Sequence, residues 1–391
     1  MRHDFDAIID RRGTHSDKWD NMQARFGISP EDGLAMWVAD TDFRSPDAVN
    51  RVVAEAARRG VHGYFGDNSD YLDAVCGWMR RRHGWQVEPG WIATTPGLCS
   101  AVGLCTQAYS EPGDSVVVFS PVYHAFGRLV AANDRKLVES PLVNDGGRYR
   151  MDLETLEAQL TGNERIVIFC TPHNPGGRVW DGDEIRAVAD FCACHDLVLV
   201  ADEIHHDLVY RGHRHTATAL AAPAHLDRMV ILAAPSKTFN TAGAANGMAI
   251  IADPELRRKF VHRLKASISG SNYFGMLMTT AAYNEGEPWL EDLIDYLTEN
   301  RRVFDGGVNA IPGVKSMELE ATFLAWVDFS GTGMSRQEIA DRVTKRARIA
   351  ANHGPAFGAG GEYFMRFNLG CPRVRVEEAV DRLQAAFGDL Q

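Results

Sequence analysis

The chain has 391 residues, 45% of them hydrophobic, enough to bury a large core and to suggest two domains. Its 41 basic and 52 acidic residues leave a formal net charge of −11, so nucleic acid is not expected as a general partner. No run approaches the ~18 apolar residues of a membrane span, the opening Met1-Arg2-His3-Asp4-Phe5-Asp6 lacks the apolar stretch of a signal peptide, and seven scattered cysteines without a Cys-x-x-Cys pair point to reduced thiols in the cytoplasm.

The first fifty residues carry no long regular element. Charged residues interleave with tryptophan in Asp10-Arg11-Arg12-Gly13-Thr14, Lys18-Trp19-Asp20 and Met36-Trp37-Val38-Ala39-Asp40, which predicts an arm packed on another surface. From Ser45-Pro46-Asp47 the spacing of Val49, Val52, Val53 and Ala56 predicts a helix with Pro46 at its first position. His62-Gly63-Tyr64-Phe65-Gly66-Asp67 reads as an aromatic loop able to reach a ligand. Thr94-Thr95-Pro96-Gly97-Leu98-Cys99 reads as a turn opening a helix through Val102, Leu104 and Cys105. The free N–H groups and dipole of such a helix start make a seat for phosphate. Residues 116–119 are a strand, followed by Ser120-Pro121-Val122-Tyr123-His124.

The middle of the chain is the plainest. Residues 166–170 form a strand, 183–195 a helix with Ile185, Val188, Ala189 and Cys192 on one face, and 197–201 the next strand. That βαβ unit implies a parallel pair with a right-handed crossover. The apolar runs Met229–Ala233 and 248–251 extend it into a doubly wound, mostly parallel α/β domain. From Trp289 a long amphipathic helix, with Leu290, Leu293, Ile294 and Leu297 in register, leads into a smaller α+β domain. Strand-like 322–329 and 363–369 alternate there with two helices. One opens on the capping box Ser335-Arg336-Gln337-Glu338, and the other carries Val376, Val380, Leu383 and Phe387. In the last strand Arg366 and Asn368 share one face, and an arginine fixed on a strand suits two-pronged capture of a carboxylate.

Polar residues follow three strands in succession: Asn174 in Thr171-Pro172-His173-Asn174-Pro175-Gly176-Gly177, Asp202 in Asp202-Glu203-Ile204-His205, and Lys237 in Ala234-Pro235-Ser236-Lys237-Thr238-Phe239-Asn240. A single lysine beyond a strand is ordinarily a surface-loop residue. Asparagine, aspartate and lysine outside the carboxyl ends of successive strands are what a pyridoxal phosphate (PLP) site needs. In that reading Lys237 binds the cofactor aldehyde and shuttles the Cα proton. Asp202 faces the pyridine nitrogen, Asn174 and His205 bond the ring's phenolic oxygen, and Tyr123 covers one ring face. The N–H groups of Gly97, Leu98 and Cys99, with Ser236, hold the phosphate, and Arg366 clamps a substrate carboxylate. The rival reading is a metal site drawn from Asp202, Glu203, His205, His206, Asp207, His213 and His215. It lacks a helical HExxH-like spacing and leaves Lys237 unexplained, so no metal is expected.

These stretches, together with Arg366-Phe367-Asn368 and Cys371-Pro372-Arg373, resemble the PLP-dependent fold-type I (aspartate aminotransferase-like) superfamily. Within it the chain is most similar to the cystathionine β-lyase-like carbon–sulfur lyases of the MalY/PatB type, on the N-terminal signature and Asp202-Glu203-Ile204-His205. The order of elements along the chain divides it into a large domain over 49–287, expected to bind PLP, with 1–48 and 288–391 as arm and small domain. The resemblance implies a homodimer with active sites at the interface, and adds Ala39, Tyr64, Asp67 and His124 on the substrate side. Three features stand out: Asp67 replaces a tyrosine that commonly reaches the neighbouring subunit's cofactor, Ala245 stands where many aminotransferases have a phosphate-binding arginine that the lyases usually lack too, which favours the lyases, and Ala321-Thr322-Phe323 replaces Gly-Thr-Tyr. The expected reaction is β-elimination from an L-cysteine S-conjugate to thiol, pyruvate and ammonia. The alternatives are transamination, or a decarboxylating or oxidative reaction on a related conjugate.

Overall fold

The computed structural model describes residues 3–267 and 272–390. A seven-stranded sheet carries the larger half of the chain. Its spatial order is Ile92–Thr95, Gly247–Ile250, Met229–Ala233, Val198–Asp202, Glu164–Cys170, Ser115–Ser120, Lys136–Pro141. All neighbours run parallel except Gly247–Ile250, which is antiparallel to both of its partners. The central strands are buried on both faces, which explains their unbroken apolar sequences. The helix Gly182–Cys194 joins Glu164–Cys170 to Val198–Asp202 as the βαβ reading requires. Its start is a true capping box, with the Asp181 side chain accepting from the Glu184 N–H and Glu184 reaching back.

A second, four-stranded antiparallel sheet has the order Lys315–Ser316, Leu324–Asp328, Phe364–Asn368, Asn352–His353. The long helix Glu287–Val308 packs with Arg373–Ala386 beside it. It begins two residues before Trp289, because Pro288 can occupy its first turn. Two expectations at helix starts shift. Pro46 is the N-cap of Asp47–Arg59 rather than its first residue. At Ser335 the hydroxyl accepts from the Glu338 N–H, while the Glu338 carboxylate meets Arg342 instead of closing a box.

The N-terminal arm is packed down, as its interleaved charges and tryptophans suggested. Lys18 is fully buried, with Nζ 2.9 Å from Asp42, which also receives Trp19 Nε1 at 3.1 Å and Arg11 at 2.8 Å. Burial works to raise the Asp42 carboxyl, but Lys18 and Arg11 outweigh it and hold it below the ordinary range. Leu34–Ala35 pairs with Ile349–Ala350. Beyond it the backbone of 37–41 is stapled from two sides. Asn368 Nδ2 donates to the Val38 and Asp40 carbonyls, and Asn240 exchanges bonds with Thr41. This stapling fixes the Ala39 carbonyl in the wall of the cavity into which the ends of the large sheet's strands open. Among the described residues no helix is long and apolar enough to cross a membrane.

Candidate active site

Strand register brings the polar residues together. Cys170 stands opposite Asp202, and Asp202 opposite Leu232, so three parallel strands stop at one level and their continuations turn into one crevice. There they line a cavity of about 230 Å³ with Ala39, Gly97, Leu98, Cys99, Tyr123, Asn174, Asp202, His205, Ser236 and Lys237 in its wall.

Lys237 lies on the short helix Pro235–Thr238 that follows its strand. Its Nζ donates to the Ala39 carbonyl at 2.6 Å, and burial pushes the ammonium below its usual range. That shift favours the free amine, the form that attacks an aldehyde. Burial pushes the Asp202 carboxyl up to about 6, against the Ile204 N–H bonded to it at 3.1 Å and the nearby Lys237. Tyr123 packs edge-on against Phe126 at 5.5 Å with its hydroxyl 3.9 Å from the Cys99 sulfur, and burial holds it as the neutral phenol.

Arg366 comes from the small sheet. One Nη1 proton goes to Asn174 Oδ1 at 2.9 Å, and Nη2 donates to the Trp37 carbonyl at 2.8 Å and Asn352 Oδ1 at 2.7 Å. The guanidinium lies over the Phe357 ring at 5.0 Å, and its buried Nε has no protein partner. Burial lowers it only to about 10, so it stays charged at neutral pH. With its oxygen engaged by Arg366, Asn174 keeps its amide N–H₂ as a donor.

The wall fits PLP in three respects. His205 Nδ1 and Asn246 Oδ1 are buried without partners, and a polar ligand would supply them. Gly97, at φ +84°, is the N-cap of Leu98–Tyr109, and no side chain caps that helix start. A Cβ on Gly247 would lie 3.3 Å from the Gly97 backbone, so only glycine leaves this turn undisturbed.

Three expected substrate-side residues lie elsewhere. Tyr64 is 97% exposed and Asp67 is exposed, its carboxylate accepting from the Ser69 N–H at 3.0 Å. Both sit in the segment between helices Asp47–Arg59 and Ser69–His83, which lies outside the cavity of its own chain. His124 stands behind Tyr123, packed on it at 5.0 Å and on Phe357 at 5.5 Å, and burial together with Arg366, Arg128 and Arg25 pushes it down to about 4. The residues of the rival metal reading also part company. Asp202 and His205 face the cavity, whereas Glu203, His206, Asp207 and His215 cluster behind it with His83. Sequence reasoning missed Asn246, Phe126 and Ile204 in the wall, and Asn352 and Phe357 around Arg366. Only Asn246 left a signal, as a polar residue directly before a buried strand.

This fold with a strand-end lysine, aspartate and asparagine defines a PLP-dependent enzyme, and residues 38–383 match the family described as aminotransferase class I and II, to which the chain belongs. Its relatives place it more narrowly. It is 40% identical to the cystathionine beta-lyase PatB of Bacillus subtilis over 98% of this chain and 99% of that one. It superposes on cystalysin of Treponema denticola, a pyridoxal 5'-phosphate protein, with a TM-score of 0.95 and 32% identity over all of both chains. An aromatic aminotransferase of Pyrococcus horikoshii, at 22% identity and TM-score 0.84, shares the fold. The chain is a PLP-dependent enzyme of the carbon–sulfur lyase branch.

Proposed function

We propose that the chain catalyses β-elimination from an L-cysteine thioether, cystathionine or a bulkier S-conjugate, yielding a thiol, pyruvate and ammonia. The observation that carries the reading is the single cavity in which Lys237 and Asp202 face Asn174, itself bonded to Arg366. The names of the full-length relatives support the choice of lyase within the family. Bound PLP supplies an electron sink for the pair left at Cα. Asp202 holds the proton of the ring nitrogen, Asn174 donates to the ring oxygen, and Tyr123 covers a ring face. The N–H groups of Gly97, Leu98 and Cys99, with Ser236, hold the phosphate. Arg366 binds the substrate carboxylate, and Lys237, as the free amine, removes the Cα proton. The thiolate then leaves Cβ, and water converts the released enamine to pyruvate and ammonia.

The domain division at 49–287 belongs to the same proposal, as does a homodimer. Exposed Ile8, Val61 and Tyr64, at 61%, 76% and 97%, support a second copy against the segment carrying Tyr64 and Asp67. Seven free cysteines, with Cys99 and Cys194 exposed, support a cytoplasmic setting. The test is turnover of a cysteine thioether without any keto acid. Sustained pyruvate release is expected, and consumption of one equivalent of thioether amino acid with its carbon–sulfur bond left intact and no pyruvate formed would refute elimination.

A further inference from the structure

The turn after Asp202 buries an ionic cluster for which the elimination has no direct use. Asp207 accepts from Trp78 Nε1 at 3.1 Å, His83 Nε2 at 2.8 Å and the Thr238 hydroxyl at 2.8 Å. Glu203 accepts from the Thr218 N–H at 2.8 Å and faces His215 Nε2 at 3.2 Å. Buried carboxylates so supplied with donors are held ionised. His206 lies between them, with Nδ1 3.6 Å from Glu203 and Nε2 3.5 Å from Asp207. A neutral imidazole would turn a lone pair toward one carboxylate. With both ring nitrogens protonated, each faces its carboxylate favourably, and the two carboxylates raise His206 to about 9 against the effect of burial.

His83 stacks on His206 at 4.1 Å and 28°, and burial together with that cation pushes it down to about 4. His206 thus stands as a positive charge between two negative ones, and His215 adds a donor to Glu203. The stacking also tells against one metal ion shared by His83 and His206. In-plane lone pairs of nearly parallel rings cannot converge on one point.

The cluster meets the cavity twice. Glu203 is the chain neighbour of Asp202, and Thr238, bonded to Asp207, is the neighbour of Lys237. Around Asp202, Lys237 and His206 favour the ionised carboxylate and Glu203 opposes it. We propose that His206 is a positioning residue of the cofactor site: its charge, at ion-pair distance from both Glu203 and Asp207, offsets that of Glu203, the chain neighbour of Asp202, and keeps Asp202 ionised against the cofactor's ring nitrogen. The inference rests on the reading of Asp202 as that nitrogen's partner. The groups facing His206 are Glu203 and Asp207 on its own turn, His83 from helix Ser69–His83 and His215 from the following segment, with Asp202 and His205 of the same turn also within its field.

The test titrates full-length cofactor-stripped protein with PLP, followed by absorbance, across about pH 5–8. Wild type binds with an acid limb set by ionisation of Asp202. In His206→Gln that limb moves up by about one pH unit, an approximately tenfold weaker binding on the acid side. His83→Gln, which removes no charge, leaves it in place. A coincident limb in His206→Gln and wild type overturns the inference, and so does an equal shift in His83→Gln. Asp202→Asn removes the limb; its persistence there would refute the role of Asp202 itself. If His206→Gln does not fold, nitrogen NMR of histidine-labelled wild-type holoenzyme decides. A buried imidazolium persisting to about pH 8 is expected, and neutral rings throughout at about pH 7 overturn the proposal.

Discussion

Arg366→Lys separates the geometry of the carboxylate clamp from its charge. The wild-type guanidinium is held by Asn174, Trp37 and Asn352 at 2.9, 2.8 and 2.7 Å and rests on Phe357, so its plane is fixed before substrate arrives. Lysine keeps the positive charge in this buried place, so no carboxylate loses its counter-ion. It cannot keep the planar fork, and it cannot serve three protein acceptors and a two-pronged ligand from one nitrogen. The lost contact is a hydrogen bond between charged groups, worth about 1.5–3 kcal/mol. At about 1.4 kcal/mol per factor of ten, KM for amino-acid substrates rises by roughly 10- to 150-fold. The assay compares an amino acid with its carboxyl-free amine analogue in wild type and variant. The amine should bind both proteins equally. An equal rise in KM for both compounds would refute the clamp.

Asp202→Asn should change stability as well as activity. The Asp202 carboxyl stands at about 6 in the folded chain against 3.8 for an ordinary aspartate, so the fold binds a proton more tightly than the unfolded chain does. Stability from this group is therefore full below about pH 4 and lost as pH rises toward about 6, by at most about 3 kcal/mol. Cofactor-stripped Asp202→Asn should accordingly be more stable than wild type at neutral pH in urea denaturation, while losing most turnover in the holoenzyme; equal midpoints would contradict the burial argument. Gly247→Ala places a Cβ 2.7 Å from Leu98 and 3.3 Å from Gly97, which must yield. PLP should dissociate about tenfold more readily, and unchanged retention on dialysis would remove this turn from the phosphate seat. Lys237→Ala should abolish the visible band and its loss on borohydride treatment, and an unchanged lysine-linked band would refute the assignment.

Much of the large sheet was legible because its buried strands are unbroken apolar runs. The expected 166–170, 183–195 and 197–201 correspond to Glu164–Cys170, Gly182–Cys194 and Val198–Asp202. Two strands were not legible. Ile92–Thr95 is short and half-buried, and Lys136–Pro141 is a mostly exposed edge strand, so pairing with neighbours defines them rather than composition. Lys237, Asp202 and Asn174 were readable as a site because strand ends in a parallel sheet converge, and chain order exposes those ends. Asn352 was not readable. It reaches Arg366 through the register of the small sheet, where the two stand opposite each other, and two residues of strand leave no periodicity to see. The role of the buried turn 203–207 was hidden for a related reason: His83, Trp78 and Thr238 come to it from elements far apart in the chain.

Elimination itself is tested most directly by incubating the holoenzyme with cystathionine and a panel of bulkier cysteine S-conjugates while following pyruvate, free thiol, oxygen and carbon dioxide together. Equal amounts of pyruvate and thiol are expected, with no keto acid added, no oxygen consumed and no carbon dioxide released. Sustained turnover that leaves the thioether intact would contradict the account. Dependence on an added keto acid would then identify an aminotransferase, and oxygen uptake with carbon dioxide release a decarboxylating oxidase.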